Sequence, residues 1–230
     1  MRLIPVAVIA VVVPLFVTAC ASASSSTSAP DVPASSASVS PSGPTASLQV
    51  SGGGNAFAAL TAGQIISRAS AAFKAASSVR LVASLSGGGV QEHLTVRLGR
   101  DACAGTMSVA GTSEMFVEIG KTFWVKVAGS EYIKSTVTNA EYADMAKLCA
   151  PAEFAGIFAQ LKDMAKGTTT EISGQRVQQL TLGSPASAYV TISVKPEFVR
   201  VDLPGQRWDF SAYNAAGSIK APPASEVVGY

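Results

Sequence analysis

The chain has 230 residues, with 17 Lys and Arg against 15 Asp and Glu, a net charge of +2, and 14% charged residues beside 48% apolar ones. A balance so near neutral leaves no electrostatic footprint for nucleic acid. So little charge also requires that much of the apolar material be buried or offered to a greasy partner.

The chain opens with one basic residue, Arg2, and a nearly unbroken apolar run from Leu3 to Val17. A basic start, an apolar middle and small residues at a cut site mark a secretory signal peptide, here residues 1–19. The stretch Val17-Thr18-Ala19-Cys20 resembles the lipobox of bacterial lipoproteins, in which the cysteine sulfur receives a diacylglycerol and the peptide bond before it is cut. The resemblance implies lipidation at Cys20 and a mature chain lipid-anchored to the extracytoplasmic side of the cell membrane. A membrane-spanning helix is the competing reading. The run is short for a span of about 20 residues, Pro5 and Pro14 interrupt it, and no basic cluster follows. Two acyl chains suffice for stable attachment, at about 0.8 kcal/mol per buried methylene.

Residues 20–57 are Ser, Ala, Pro, Thr and Gly with a single charge, Asp31. Such a stretch cannot bury enough surface to offset its ordering entropy, and it is expected to be a disordered tether. As a flexible coil it would reach about 30–36 Å, letting a folded body at 58–230 stand off the membrane.

The body is expected to begin with a helix. Thr61 and Gln64 have capping-box spacing, and Ile65, Ile66, Ala69, Ala72, Phe73 and Ala76 follow at helical intervals. From Val79 the period changes to two, with strand-like runs to Val127 broken by glycine turns, and a short edge piece at Tyr132-Ile133. Helix returns with a second capping box at Thr138 and Glu141 and then a stripe through Phe154, Ile157, Phe158, Leu161 and Met164, with Gly167 as its stop. Five further strand runs, from Thr168 to Tyr213, close the body. The expected class is α+β: a curled antiparallel sheet of about 10–11 strands with about three helices over its concave face. Helices too few to fill the hollow would leave an apolar cavity.

Lipobox, Ser/Ala/Pro tether, then helix, strands, helix pair and strands together resemble the LolA-like envelope lipoproteins of the LppX/LprG type. The ending from Val199 through Asn214, the stretch Ile219 to Val227, and Ser78-Val79-Arg80 after the first helix are similar to such chains. The likeness covers about residues 60 to 228 and implies a half-barrel holding the acyl chains of a lipid or lipidated glycan.

Cysteine is sparse. Cys103 and Cys149 form an even pair in an exported protein, where disulfides persist. Export favours a bridge, worth roughly 4 kcal/mol in the chain-entropy model, over two separate buried thiols. The single histidine, His93, falls within a strand run and cannot build a multi-histidine metal site. There is no Gly-x-Ser-x-Gly elbow and no phosphate loop. Glu141, Asp144 and Lys147 read as helix-surface pairs, Glu114 and Glu118 as a solvated face, and Asp202 and Asp209 as cross-strand partners of Arg200 and Arg207. A non-enzyme needing no cofactor or metal is expected.

The leading expectation is a carrier of hydrophobic envelope molecules, monomeric, with a lipid ligand and an envelope transporter as partners. Acyl chains would be desolvated against Leu81, Leu85, Leu94, Val96, Val109, Val117, Phe154, Phe158, Leu161, Leu180, Val190 and Ile192. Small inward residues, Ala83, Ala110 and Ala188, would leave room. The alternative is a non-catalytic surface interaction module with a filled core. A strand register error of one residue would turn any of these side chains outward.

Overall fold

The computed structural model describes residues 53–127, 129–183 and 185–228. The expected signal peptide, the expected lipidation at Cys20 and the tether as far as residue 52 lie outside the described residues. Among the described residues, a short helix α1 (Gly53–Ala58) precedes Thr61, and its Phe57 is buried.

Helix α2 (Ala62–Ala75) starts where the capping box places it. The Gln64 amide donates to Thr61 Oγ1 at 3.2 Å, and the Thr61 amide donates to Gln64 Oε1 at 2.8 Å, so two otherwise orphaned donors are satisfied. Its buried face is Ala62, Ile65, Ile66, Ala69 and Phe73. Six strands follow: β1 (Ser78–Gly87), β2 (Val90–Gly99), β3 (Ala102–Val109), β4 (Thr112–Ile119), β5 (Thr122–Val127) and β6 (Tyr132–Thr136). Successive strands pair antiparallel through tight turns. Gly88 and Gly89 both take positive φ, 57° and 79°, which a two-residue hairpin turn matched to strand twist requires.

A lid of short helical pieces comes next: α3 (Ala143–Lys147), a 3-10 turn (Pro151–Phe154) and α4 (Ala155–Ala159). The expected second capping box does not form. Thr138 Oγ1 bonds Thr136 Oγ1 at 3.1 Å, and Asn139 Oδ1 accepts the Glu141 amide at 3.0 Å, a local turn that delays the helix. The second half of the sheet is β7 (Ala165–Ile172), β8 (Gln175–Thr181), β9 (Ser187–Thr191), β10 (Phe198–Leu203) and β11 (Gln206–Ser211). Gly167 does not stop a helix. It lies inside β7, where the register shifts between Lys166 and Thr169 and Gln178 Nε2 donates to the Gly167 carbonyl at 2.8 Å. A two-residue strand, β12 (Val227–Val228), pairs parallel with β6.

All these strands form one sheet in the order β12-β6-β5-β4-β3-β2-β1-β11-β10-β9-β8-β7. It is a curled α+β architecture, open rather than closed into a barrel, and the layout is the one the resemblance implies: helix, strands, helices, strands. With 12 strands it exceeds the expected 10–11, because a two-residue pairing carries no pattern of its own. Two meanders, β1–β6 and β7–β11, meet where β11 pairs with β1.

Ser78 and Asn214, which belong to two of the segments that carry the resemblance, meet in a clasp. Asn214 Oδ1 accepts the Ser77 amide at 2.8 Å, the Asn214 amide donates to Ser78 O at 2.8 Å, and Ser78 Oγ donates to Ala215 O at 3.0 Å. Arg97 Nη2 donates to the carbonyls of Ala216 and Gly217 at 3.1 and 2.9 Å. The segment following β11 is thereby pinned to the start of β1 and to β2.

Candidate ligand-binding site

The concave side of the sheet is walled by side chains at alternate positions: Leu81 and Ala83 on β1, Leu94, Val96 and Leu98 on β2, and Trp208 and Phe210 on β11. On the far half, Leu180, Ala188, Val190, Phe198, Val201 and Leu203 continue the same apolar surface. Helix α2 and the lid lie over it.

The hollow between them is occupied by protein. Phe73 of α2 meets Phe154 and Phe158 of the lid edge-to-face, with centroids 5.6 and 5.1 Å apart, and Phe210 of β11 at 5.9 Å. Phe158 stacks on Phe198 of β10 at 4.6 Å, and Phe154 meets Trp208 at 5.8 Å. Such pairs add about 0.5–1.5 kcal/mol beyond their area burial. The expected unfilled space is therefore taken by an aromatic insert from the lid, because two phenyl rings and Leu161 project inward from only a few helical residues.

Most of the expected lining residues reach this side. Leu81, Leu94, Val96, Phe154, Phe158, Leu161, Leu180 and Val190 are buried in the core, and Leu85 and Ile192 are half-buried against it. Val109 lies on the same face as Cys103 but at the end of β3, outside the core cluster. Val117 is buried too, but it stands opposite Ala104 and Trp124 and lies outside the core cluster, to which its neighbour Phe116 belongs. Gly105 accommodates that arrangement. A Cβ there would meet Phe116 Cζ and the Thr95 carbonyl at 2.6 Å, so the phenyl ring lies on the bare glycine. Of the small residues, Ala83 and Ala188 are buried inward, whereas Ala110 has φ 48° in the turn with Gly111 and lines nothing. Trp124 is half-buried on the outer face. Phe73, Phe116 and Trp208 belong to the inner surface as fully as the residues singled out. Their signal was the helical stripe for Phe73 and strand alternation for the other two.

The lid is tied to the sheet by the disulfide between Cys103 on β3 and Cys149 just after α3, with Cα atoms 5.3 Å apart. Beside it, Tyr142 stacks on Phe123, which stacks on Phe116. Glu118 stands between Cys103 and Phe123 in register and is half-buried, not on a solvated face. Burial pushes its carboxyl above the ordinary carboxylate range, as it does for Glu114.

Two clefts open beside this core. One, of about 370 Å³, lies between the end of α2, the start of β1, the end of β2 and Pro151, and Phe73 lines it. The other, about 480 Å³, is a polar surface hollow edged by Ser84, Ser187, Asp202 and Arg207. His93 is exposed, its Nδ1 lies 3.3 Å from Ser84 Oγ, and among the described residues no carboxylate bonds its ring to make a triad. The acid–base pairs are structural, as read from sequence: Arg200 Nε donates to Asp209 Oδ1 at 2.6 Å, Arg207 Nε to Asp202 Oδ1 at 2.8 Å, and Lys147 Nζ to Asp144 Oδ1 at 2.7 Å. Among the described residues, no group of three or more His, Cys, Asp and Glu side chains is placed to hold a metal ion. No helix among them is long and apolar enough to cross a membrane.

No family model matches the chain, and no curated protein matches it. Among solved structures it is similar to LprF from Mycobacterium bovis, with a TM-score of 0.47 and 15% identity, over 70% of this chain and 96% of that one. It is also similar to an uncharacterized conserved protein from Thermus thermophilus, with a TM-score of 0.36 and 11% identity, over 72% of this chain and 97% of that one.

Proposed function

We propose that the protein is an envelope lipoprotein, anchored through lipidated Cys20 to the extracytoplasmic side of the cell membrane, that binds hydrophobic acylated ligands between its lid and its sheet. The observation that supports the reading is the continuous apolar wall of the sheet under a cover of short helical pieces. The concave wall is apolar from β2 to β9, and the groups covering it, Phe154 and Phe158, come from helical pieces of four and five residues. Helices this short have little stability of their own and are held by packing and one disulfide. A lid of this kind is suited to swinging aside, with acyl chains replacing phenyl rings against Leu81, Val96, Leu180 and Val190. Exchange of one apolar surface for another costs little, and the ligand's own desolvation, about 25 cal/mol per Å², drives it. No covalent step is involved. A membrane transporter in the envelope would deliver or receive the ligand, and the carrier would work as a monomer.

The tight stacking of Phe158 on Phe198 favours a second reading, a non-catalytic interaction module whose core stays filled. Native mass spectrometry of the full chain extracted from cell envelope separates the two. A stoichiometric co-purifying lipid mass is expected. A ligand-free chain that also takes up no lipid from vesicles would overturn the carrier and leave the module. The anchor is tested separately: palmitate labelling and membrane retention should both disappear in Cys20→Ala.

A further inference from the structure

The cleft of about 370 Å³ beside α2 is continuous in composition with the hollow but differs from it in charge. Phe73, Ala76, Val79, Leu98 and Pro151 make its apolar wall, and Phe73 has its ring against Phe154 and Phe158. Its charged lining residues are Lys74 and Arg100, with no carboxylate. Both are exposed, and neither has an ion pair or a side-chain hydrogen bond among the described residues. Lys74 complements the C-terminal end of α2, but Arg100 follows the end of β2 and has no such role. The nearby Ser78 hydroxyl is already spent on the Ala215 carbonyl. Both charged groups of the cleft are therefore cationic donors above a greasy floor.

We propose that this cleft binds the acid end of an anionic amphiphile, and that Lys74 and Arg100 select ionised over neutral headgroups. The inference rests on the carrier reading and specifies which ligands it takes. The carboxylate or phosphate sits between the ammonium and the guanidinium, the latter able to grip two oxygens at once. The chain runs over Val79 and Leu98 to Phe73, the first ring it must displace to reach the hollow. Both charges lining the cleft are positive, and an anionic headgroup complements them.

The test compares palmitate with hexadecanol, presented as monomers to the full chain carrying Cys20→Ser, at a pH where the acid is ionised. Palmitate is expected to bind about tenfold or more tightly than the alcohol at low salt, with the preference shrinking as salt rises. In Lys74→Gln/Arg100→Gln, which alters two exposed side chains, the alcohol should bind as before and the preference should fall to near unity. Equal binding of acid and alcohol to the parent chain, or an unchanged preference in the variant, overturns the headgroup assignment and leaves the carrier standing. Failure of both to bind removes the carrier and this inference together. Vesicles of phosphatidylglycerol and of phosphatidylcholine form a further arm. Charge-dependent vesicle binding without monomer binding would assign the two cations to a membrane surface and overturn the cleft.

Discussion

At the residue scale, Glu118 is the side chain most at odds with its surroundings. It stands between Cys103 and Phe123, and its Oε2 is buried without a hydrogen-bond partner. Burial raises its folded pKa above the ordinary carboxylate value. Between those two values the native state binds more protons than the unfolded state, so stability falls as pH rises through that window and stays lower at neutral pH. Glu118→Gln is therefore expected to raise the melting temperature at pH 7 by about 2 °C, the modest size reflecting a half-exposed group. The gain should vanish in acid below the ordinary carboxylate range, as thermal melts at several pH values would show. A gain that persists in acid would tie the effect to packing instead. Gly105 makes the opposite case. Gly105→Ala forces a methyl into Phe116 and the Thr95 carbonyl and should cost about 1–3 kcal/mol by denaturant unfolding. Phe116 and Val117 also show what the sequence withheld. Both are apolar and adjacent, and the one that faces the core is the one that lies against a glycine on the neighbouring strand.

At the scale of elements, legibility followed locality. The capping box at Thr61 is made within one turn, and it forms as its spacing predicts. The box at Thr138 has the same spacing and fails because Asn139 offers a competing turn, which a pattern of two residues does not weigh. The lid's stripe through Phe154, Phe158 and Leu161 was plain, but its breaking into short pieces was not, since buried phenyl rings and Pro151 hold it more than helix propensity does. The disulfide is what ties those pieces to β3, 46 residues away in sequence. Cys103→Ser/Cys149→Ser should lower stability by about 2–4 kcal/mol in chemical denaturation. On the carrier reading it should also speed ligand uptake, because the lid loses its hinge to the sheet. An unchanged uptake rate in a measurably less stable variant would show that ligands enter without lid movement.

At the scale of the whole molecule, the sheet is two meanders joined at one seam. Local periodicity reveals each meander, but not that the first strand of one pairs with the last strand of the other, since β1 and β11 are more than a hundred residues apart. That seam carries Leu81 opposite Phe210 and Ala83 opposite Trp208, directly beneath the aromatic cluster. The sheet's two edges differ sharply from it: β7 is exposed along all but its last residue, and β12 is two residues long. Opening free energies track buried contacts and paired neighbours, so exchange should be graded outward from the seam. Hydrogen exchange of the full chain should find the amides of β1 and β11 slowest, at the global unfolding free energy, and those of β7 and β12 fastest. Heat or denaturant should then unfold both meanders in one transition, because neither can shed the seam and keep its half of the core. Two separate transitions, with β1 protected independently of β11, would mean that each meander is a folding unit of its own and that the seam is only a contact between them.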